Sequence, residues 1–411
     1  MVEAKALRID ALGAQGDGVT HERDAPIHVP LALPGEDVTR DGAGGFRIVS
    51  AVSPARRDVP LCQHFPRCGG CSVQHMSDAL YVDWKQGLLA AALAQRGLDV
   101  PVSTMVTVPP GSRRRATFSG VWVGEEVRLG FHGRHSHDLE PIIGCAVLTP
   151  SIVAALPHLA RLATLLIASR EAFRVAVLAA DNGLDVVFEA KPPPRKALAA
   201  GTELAALMRA AKAIRLSVGR VPVLTLGEPV VTIAGVAVKP PANAFFQAAS
   251  EADELLARHV MLGVGKARRV TDLFSGLGTL SFALARRSRV LAVDSDTELL
   301  DALGRAKNSA QGLKPIERLR RDLFRDPLSP RELERADVVV LDPPRAGAAA
   351  QCERLAQSKV RRVVMVSCNP ATLARDLRTL VDGGFVLEQA TPIDQFLFTH
   401  HLEAVATLRR P

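Results

Sequence analysis

In the first 58 residues apolar and polar positions alternate in short runs, "ALRIDAL", "APIHVPLAL" and "GFRIVSAV", parted by turns rich in Gly, Asp and Pro. Alternation with period two predicts half-buried strands, and strands this short and evenly spaced predict a small OB-like β-barrel over 1–58. A helical period replaces it in "SDALYVDWKQGLLAAALAQRGL", where Ser77 caps the start and Gly97 ends the run. Between residues 105 and 240 the pattern is mixed: a hairpin over "RRRATFSGVWVGEEVRLGFHGR", a Pro-rich loop at "EAKPPPRKA" and an Ala/Leu-rich helix near 198–212. "VKPPANAFFQ" then opens a unit of different character.

In that unit four apolar runs, "RRVTDLF", "RVLAVD", "ADVVVLD" and "VRRVVMVS", are separated by stretches long enough for a helix. This is the pattern of a doubly wound parallel sheet of Rossmann-like α/β type. The expected chain is multidomain: a barrel over 1–58, a central α+β domain over 59–240 with a cysteine-bearing loop, and an α/β domain over 241–411. A length of 411 residues exceeds what one hydrophobic core organises, in keeping with this division.

Composition narrows the setting. No run approaches eighteen uncharged apolar residues and "MVEAKALRID" lacks an apolar leader segment, so we expect a cytosolic protein without membrane contact. Lys and Arg outnumber Asp and Glu by 51 to 43, which admits either RNA or DNA as partner or a small anionic substrate. In a reducing compartment the six cysteines are expected to be ligands, a nucleophile or buried filler rather than disulfides.

Each of the four strand-like runs ends in chemically capable residues, and in a doubly wound sheet those ends face one edge where ligands bind. Gly276 and Gly278 in "DLFSGLGTLS" permit close approach of backbone to a ligand, though the third glycine of the dinucleotide fingerprint is missing. Asp294, eighteen residues after Gly276, suits a ribose diol, and the pair fits S-adenosylmethionine better than NAD. Asp342 in "LDPPRAG" and Cys368 in "VSCNP" stand on proline-stiffened loops. A thiolate beside a methyl donor suggests addition to C6 of a pyrimidine, with C5 then taking the methyl group; Glu403, which opens the last apolar strand, is placed to accept the C5 proton.

"LFSGLGT", "LDPPRAG", "VSCNP" and "HLE", in this order, resemble the RNA (uracil-5-)-methyltransferase family from end to end. The resemblance implies a C-terminal class I methyltransferase fold, Cys368 as nucleophile and Glu403 as proton acceptor. It further implies cofactor contacts from Gln247, Phe274, Asp294 and Asp322, and a hold on the target uracil by Asp342. Two departures stand out: Ala249 occupies the Asn place of the family's F-x-Q-x-N segment, and Thr279 stands where one branch has Asn. Related cytosine enzymes put a cysteine at the place of Asp342, so uracil is favoured.

Cys62, Cys68 and Cys71 in "CQHFPRCGGC" lie close together with glycines around them, as for a metal or an iron-sulfur cluster. Cys145 is the candidate fourth ligand, because Cys352 and Cys368 fall in the α/β unit. Cluster-bearing members of the family share this spacing, which implies a [4Fe-4S] cluster, with zinc as the alternative. Cys352 reads as helix-borne filler. The N-terminal barrel resembles the TRAM domain, which implies a grip on RNA backbone. Arg113, Arg114 and Arg115 correspond to an Arg-rich segment beside the RNA; in a strand, two of them would share a face.

The resemblance implies 23S ribosomal RNA as substrate, with transfer RNA as the alternative, and names no protein partner. The competing readings are an iron-sulfur RNA-binding protein without catalysis, motivated by Ala249, and a nicotinamide dehydrogenase.

Overall fold

The computed structural model describes the chain except residues 1–5, 23–24, 43–44, 51–52, 54, 58, 135, 192–199 and 220. The Pro-rich loop expected at 189–197 falls mostly outside the described residues, as does the start of the helix expected near 198. That helix is seen from Gly201 to Ala210.

The N-terminal strands form two antiparallel sheets. One contains Leu7–Arg8, Asp37–Arg40 and Phe46–Ser50, the other Ala11–Leu12, Gly18–Glu22 and Ala25–Val29. The amides of Ile9 and Asp10 donate to Glu36 and Val19 respectively, stitching the sheets together. They enclose Ile9, Val29, Ala32 and Val38, an arrangement that fits a small barrel.

The central sheet runs in the order Leu139–Pro141, Glu126–His132, Arg115–Val123, Phe173–Ala180, Gly183–Glu189, Ala213–Val218, Val221–Thr225. The predicted hairpin is its Arg115–Val123 and Glu126–His132 pair. Helix Pro150–Leu166 starts on a proline, where no amide is required, and buries Ile152, Leu159 and Leu162 in a core shared with Phe118 and Val186.

The C-terminal sheet has the order Ile316–Arg320, Arg289–Asp294, Arg269–Leu273, Val338–Leu341, Arg362–Ser367, Glu403–Arg409, Val386–Asp394, Val106–Thr107. "VVVL" and "VVMVS" are buried throughout, as strands covered on both faces must be. The four predicted strands are parallel and Ile316–Arg320, which the sequence reading did not name, joins them as a fifth, but Glu403–Arg409 runs antiparallel to both its neighbours, so the sheet is mixed. That reversal has a functional result. The start of the last strand meets the same edge as the ends of the parallel ones.

Packing joins parts of the segment 59–240 to the C-terminal sheet. Helix Asp78–Ala94, capped by Ser77 as predicted, lays Leu89 and Leu93 into a core with Leu373, Leu377 and Leu408. Val106–Thr107 pairs with Ile393–Asp394, and the hairpin Val231–Val238 packs on Val260 and Leu303. Turn residues mark where chain elements end, but only long-range pairing decides which sheet they join.

Candidate active site

Phe274, Asp294, Asp342 and Cys368 follow or finish parallel strands, and Glu403 begins the antiparallel one. The register Ser367↔Ala404 sets Cys368 beside Glu403. With Gln247, Gly276, Asp322 and Arg115 these residues line one cavity of about 500 Å³. Gly276 has φ +52° and open space where a Cβ would stand, and its amide donates to Asp294 Oδ2 at 2.8 Å. Asp322 accepts from the Phe324 amide, and the rings of Phe274 and Phe324 stand 5.5 Å apart. Thr279 also lines this cavity.

Gly278 departs from the expectation. Its φ is +93°, and a Cβ there would meet Leu303 at 2.9 Å, so this glycine lets the turn pack on helix Thr297–Ser309 rather than open toward the cavity. Ala249 is fully buried against Val108 and Ala252, outside the cavity lining, and precedes helix Ser250–Val264 without a side-chain cap. Its departure from the family pattern is therefore a change in packing and capping.

Carboxyl groups at this edge hold their protons unusually well. Burial, then the negative charge of Asp342, raises Glu403 far above the usual carboxylate range; Asp342 is raised by burial and by Asp253. Asp272 is pushed up to about 7, by burial first, although Ser281 donates to its Oδ2. Its Oδ1 and the buried Ser275 hydroxyl have no partner, and both residues line the cavity. Cys368 is pushed up to about 11 by burial and by the charges of Glu403 and Asp342, against a lowering by Arg345. His401, lowered to about 4 by burial, then by His400 and Arg345, is neutral at neutral pH.

An amide chain joins the two carboxyls. Gln247 Nε2 donates to Asp342 Oδ2 at 3.4 Å, and Gln395 Nε2 donates to Gln247 Oε1 and Glu403 Oε2, both at 2.7 Å.

A second cavity, of about 660 Å³, is lined by Cys62, Cys68, Cys71 and Cys145 together with Arg113. Arg115, Phe396 and His401 line both cavities. Burial raises Cys68 and Cys145, and pushes Cys71 up to about 12, with neighbouring thiols adding to each rise. As free groups these thiols stay protonated. Among the described residues no three His, Cys, Asp or Glu form a group that could hold a metal ion, a finding that supports neither the expected [4Fe-4S] cluster nor its zinc alternative. Cys352 is fully buried on helix Ala349–Ala356, as expected of a filler.

The family model for tRNA (Uracil-5-)-methyltransferase matches residues 234–411. Over the whole chain, an RNA methyltransferase of Agrobacterium fabrum is 41% identical, with all of both chains covered. The 23S rRNA (uracil(1939)-C(5))-methyltransferase RlmD of Halomonas elongata is 32% identical over 99% of this chain and 90% of its own. The chain belongs to the RNA uracil-5-methyltransferase family. Its fold is also that of the Pyrococcus abyssi tRNA (uracil-54, C5)-methyltransferase solved with S-adenosyl-L-homocysteine, at TM-score 0.76, 23% identity, and coverage of 98% and 99% of the two chains.

A member of this RNA methyltransferase family takes its methyl group from S-adenosylmethionine, and the cavity suits that molecule. The open face of Gly276, the Asp294 carboxylate and the unpartnered Asp272 and Ser275 oxygens are polar features suited to a nucleoside and an amino acid.

The three arginines divide by strand alternation. Arg113 and Arg115 share a face and line the cavities, with the Arg115 guanidinium 4.3 Å from the centre of the exposed Phe245 ring. Arg114 points the other way and is buried: it donates to Asp253 at 2.6 Å and to the Gln247 carbonyl. The expectation of an RNA contact from Arg114 is corrected, because this guanidinium is committed to the interior.

Sequence reasoning passed over Gln395 and the ion pair behind it. Lys85 and Asp394 are fully buried and paired, and Tyr81 also donates to Asp394. Their signal was a lysine within an apolar helix stripe, which reads as a solvent face unless its partner is known. No described helix is long and apolar enough to cross a membrane.

Proposed function

We propose that this RNA uracil-5-methyltransferase modifies a uridine of 23S ribosomal RNA through a covalent bond between Cys368 and the base. The observation that carries this reading is the register that brings Cys368 and Glu403 side by side in the lining of one cavity. S-adenosylmethionine, when bound, offers a methyl group on a positively charged sulfur. The Cys368 thiol gives up its proton to solvent as its sulfur adds to C6, the ring electron pair moves to C5, and C5 takes the methyl while the donor's S–CH3 bond breaks and its electron pair neutralises the sulfur. Glu403 then accepts the C5 proton, the C6–S bond breaks and the ring double bond returns. Asp342 holds the uracil edge, while Gln247, Phe274, Gly276, Asp294 and Asp322 hold the methyl donor. The base must leave its stack to enter so deep a site.

Full-length similarity to the Halomonas relative supports ribosomal RNA as substrate. Transfer RNA is the second reading, favoured by the description of the family model. Cys62, Cys68, Cys71 and Cys145 face one cavity from two chain segments, a donor set suited to a [4Fe-4S] cluster, which would cross-link those segments. The N-terminal barrel, of TRAM type, and Arg113 and Arg115 supply RNA contacts.

The test is incubation of the protein with labelled methyl donor and separated ribosomal and transfer RNA. Label is expected as 5-methyluridine in 23S RNA and none with Cys368→Ala. Methylation by Cys368→Ala at the parent rate would overturn the mechanism, and label confined to transfer RNA would overturn the substrate.

A further inference from the structure

The group that orders the proton acceptor stands one layer behind it. Gln395 is 2% exposed and lies in the loop between strands Val386–Asp394 and Glu403–Arg409. It is absent from the lining of the cavity that holds Cys368 and Glu403, and lines the thiol chamber instead. Its amide makes three hydrogen bonds at 2.7–2.8 Å: from the Ala248 backbone amide to its Oε1, and from its Nε2 to Gln247 Oε1 and Glu403 Oε2.

One partner fixes the direction of the whole chain. A backbone N–H can only donate, so Gln395 must turn its oxygen toward Ala248 and its NH₂ toward Gln247 and Glu403. Gln247, thereby obliged to present its oxygen to Gln395, turns its own NH₂ toward Asp342. Neither amide can flip without leaving a buried polar group unpaired.

We propose that Gln395 is a positioning residue that orients Glu403 for proton removal from C5 and, through Gln247, ties its orientation to that of Asp342. The inference rests on Glu403 being the proton acceptor. Gln395 engages Oε2, which leaves Oε1 as the atom free to meet the base. An N–H donor also favours the ionised carboxylate, counteracting burial and the Asp342 charge. The other groups that bear on this pair are Cys368, Arg345 and the neutral His401 on the cavity side, with Asp253 held by Arg114 behind Asp342. Asp394, on the neighbouring strand, is committed to Lys85.

The experiment compares Gln395→Met, Gln395→Glu and Glu403→Gln with the parent, using ribosomal RNA and three readouts: turnover against pH, covalent protein–RNA complex on denaturing gels, and thermal unfolding. Glu403→Gln is expected to accumulate the complex and lose turnover; if it turns over normally, the underlying mechanism fails. Gln395→Met is expected to form the complex at nearly the parental rate but to resolve it about 10- to 100-fold more slowly, because the acceptor is misaligned. The acidic limb of its turnover profile should move up by about one pH unit. Gln395→Glu keeps the partner for Ala248 but adds a third carboxyl, so its limb should move further up. If Glu403→Gln accumulates the complex while both folded Gln395 variants keep the parental turnover and limb, the positioning role is overturned. Should Gln395→Met fail to fold, Gln395→Glu decides by the same two readouts.

Discussion

Glu403 holds its proton to higher pH in the folded chain than in the unfolded one, where carboxylates titrate near ~4. Unfolding therefore releases a proton between that value and the raised one, so stability is present at low pH and falls as pH rises through this window. We expect Glu403→Gln to match the parent near about pH 4 and to exceed it by on the order of 2 kcal/mol near about pH 8, read from urea unfolding at each pH. The two loop glycines should separate in the same way. Gly276→Ala meets no atom, so it should cost about 1 kcal/mol for its left-handed backbone and weaken methyl-donor binding in calorimetry. Gly278→Ala adds a clash with Leu303 and should cost about 2 kcal/mol or more, with thermal unfolding as the measure. At this scale the sequence was most legible at the tips of strands: Asp294, Asp342 and Cys368 at or just past strand ends and Glu403 at a strand start all arrive at one edge. Gly278 and Arg114 were misread because motif position says nothing about which layer a side chain faces. Gln395 was missed because a neutral amide carries no mark of its work until its partners are known.

Among the elements, helix Asp78–Ala94 is the one whose role was hardest to foresee. Its helical period and Ser77 cap were plain in the sequence, but its task depends on Lys85 reaching Asp394, 309 residues away. Lys85 also donates to the Phe396 carbonyl at 2.8 Å, and Tyr81 accepts from the Phe398 amide at 2.9 Å. One face of the helix thus anchors the loop that carries Gln395 and leads to Glu403. Lys85→Met leaves Asp394 buried without its cation, and we expect it to lower stability by about 3 kcal/mol in urea unfolding, with a larger loss of methylation than of RNA binding. Lys85→Met with Asp394→Asn should recover part of the stability, since the uncompensated charge is gone. The final strand carries the same lesson. Its apolar run was evident, but its direction, which delivers Glu403 to the active edge, is a property of pairing.

Across the whole molecule, the strand-rich N-terminus and the Rossmann-like sheet could be read from alternating and helical periods, whereas the long-range packing between segments could not. Residues 78–108 and 231–238 lie in sequence beside the central sheet but pack with the C-terminal one. Excess positive charge, formally +8, predicts that RNA affinity falls about tenfold or more between 50 and 200 mM salt, its logarithm dropping in proportion to the phosphates contacted, as a filter-binding titration would measure. The methyltransfer cavity and the thiol chamber meet at Arg115, Phe396 and His401. A backbone carbonyl also ties the loop that leads to Glu403 to the chain just past the cysteine run. Phe398, held at φ +59°, accepts from the amides of both Ser72 and Val73, just past the cysteine run. That carbonyl is a clasp between two chain segments, and any coupling carried through a clasp is reciprocal: order gained on one side is favoured, to the same degree, by order on the other. We expect the Ser72 and Val73 amides to exchange more slowly when methyl donor and RNA are bound, an outcome that hydrogen exchange reads without touching a catalytic group.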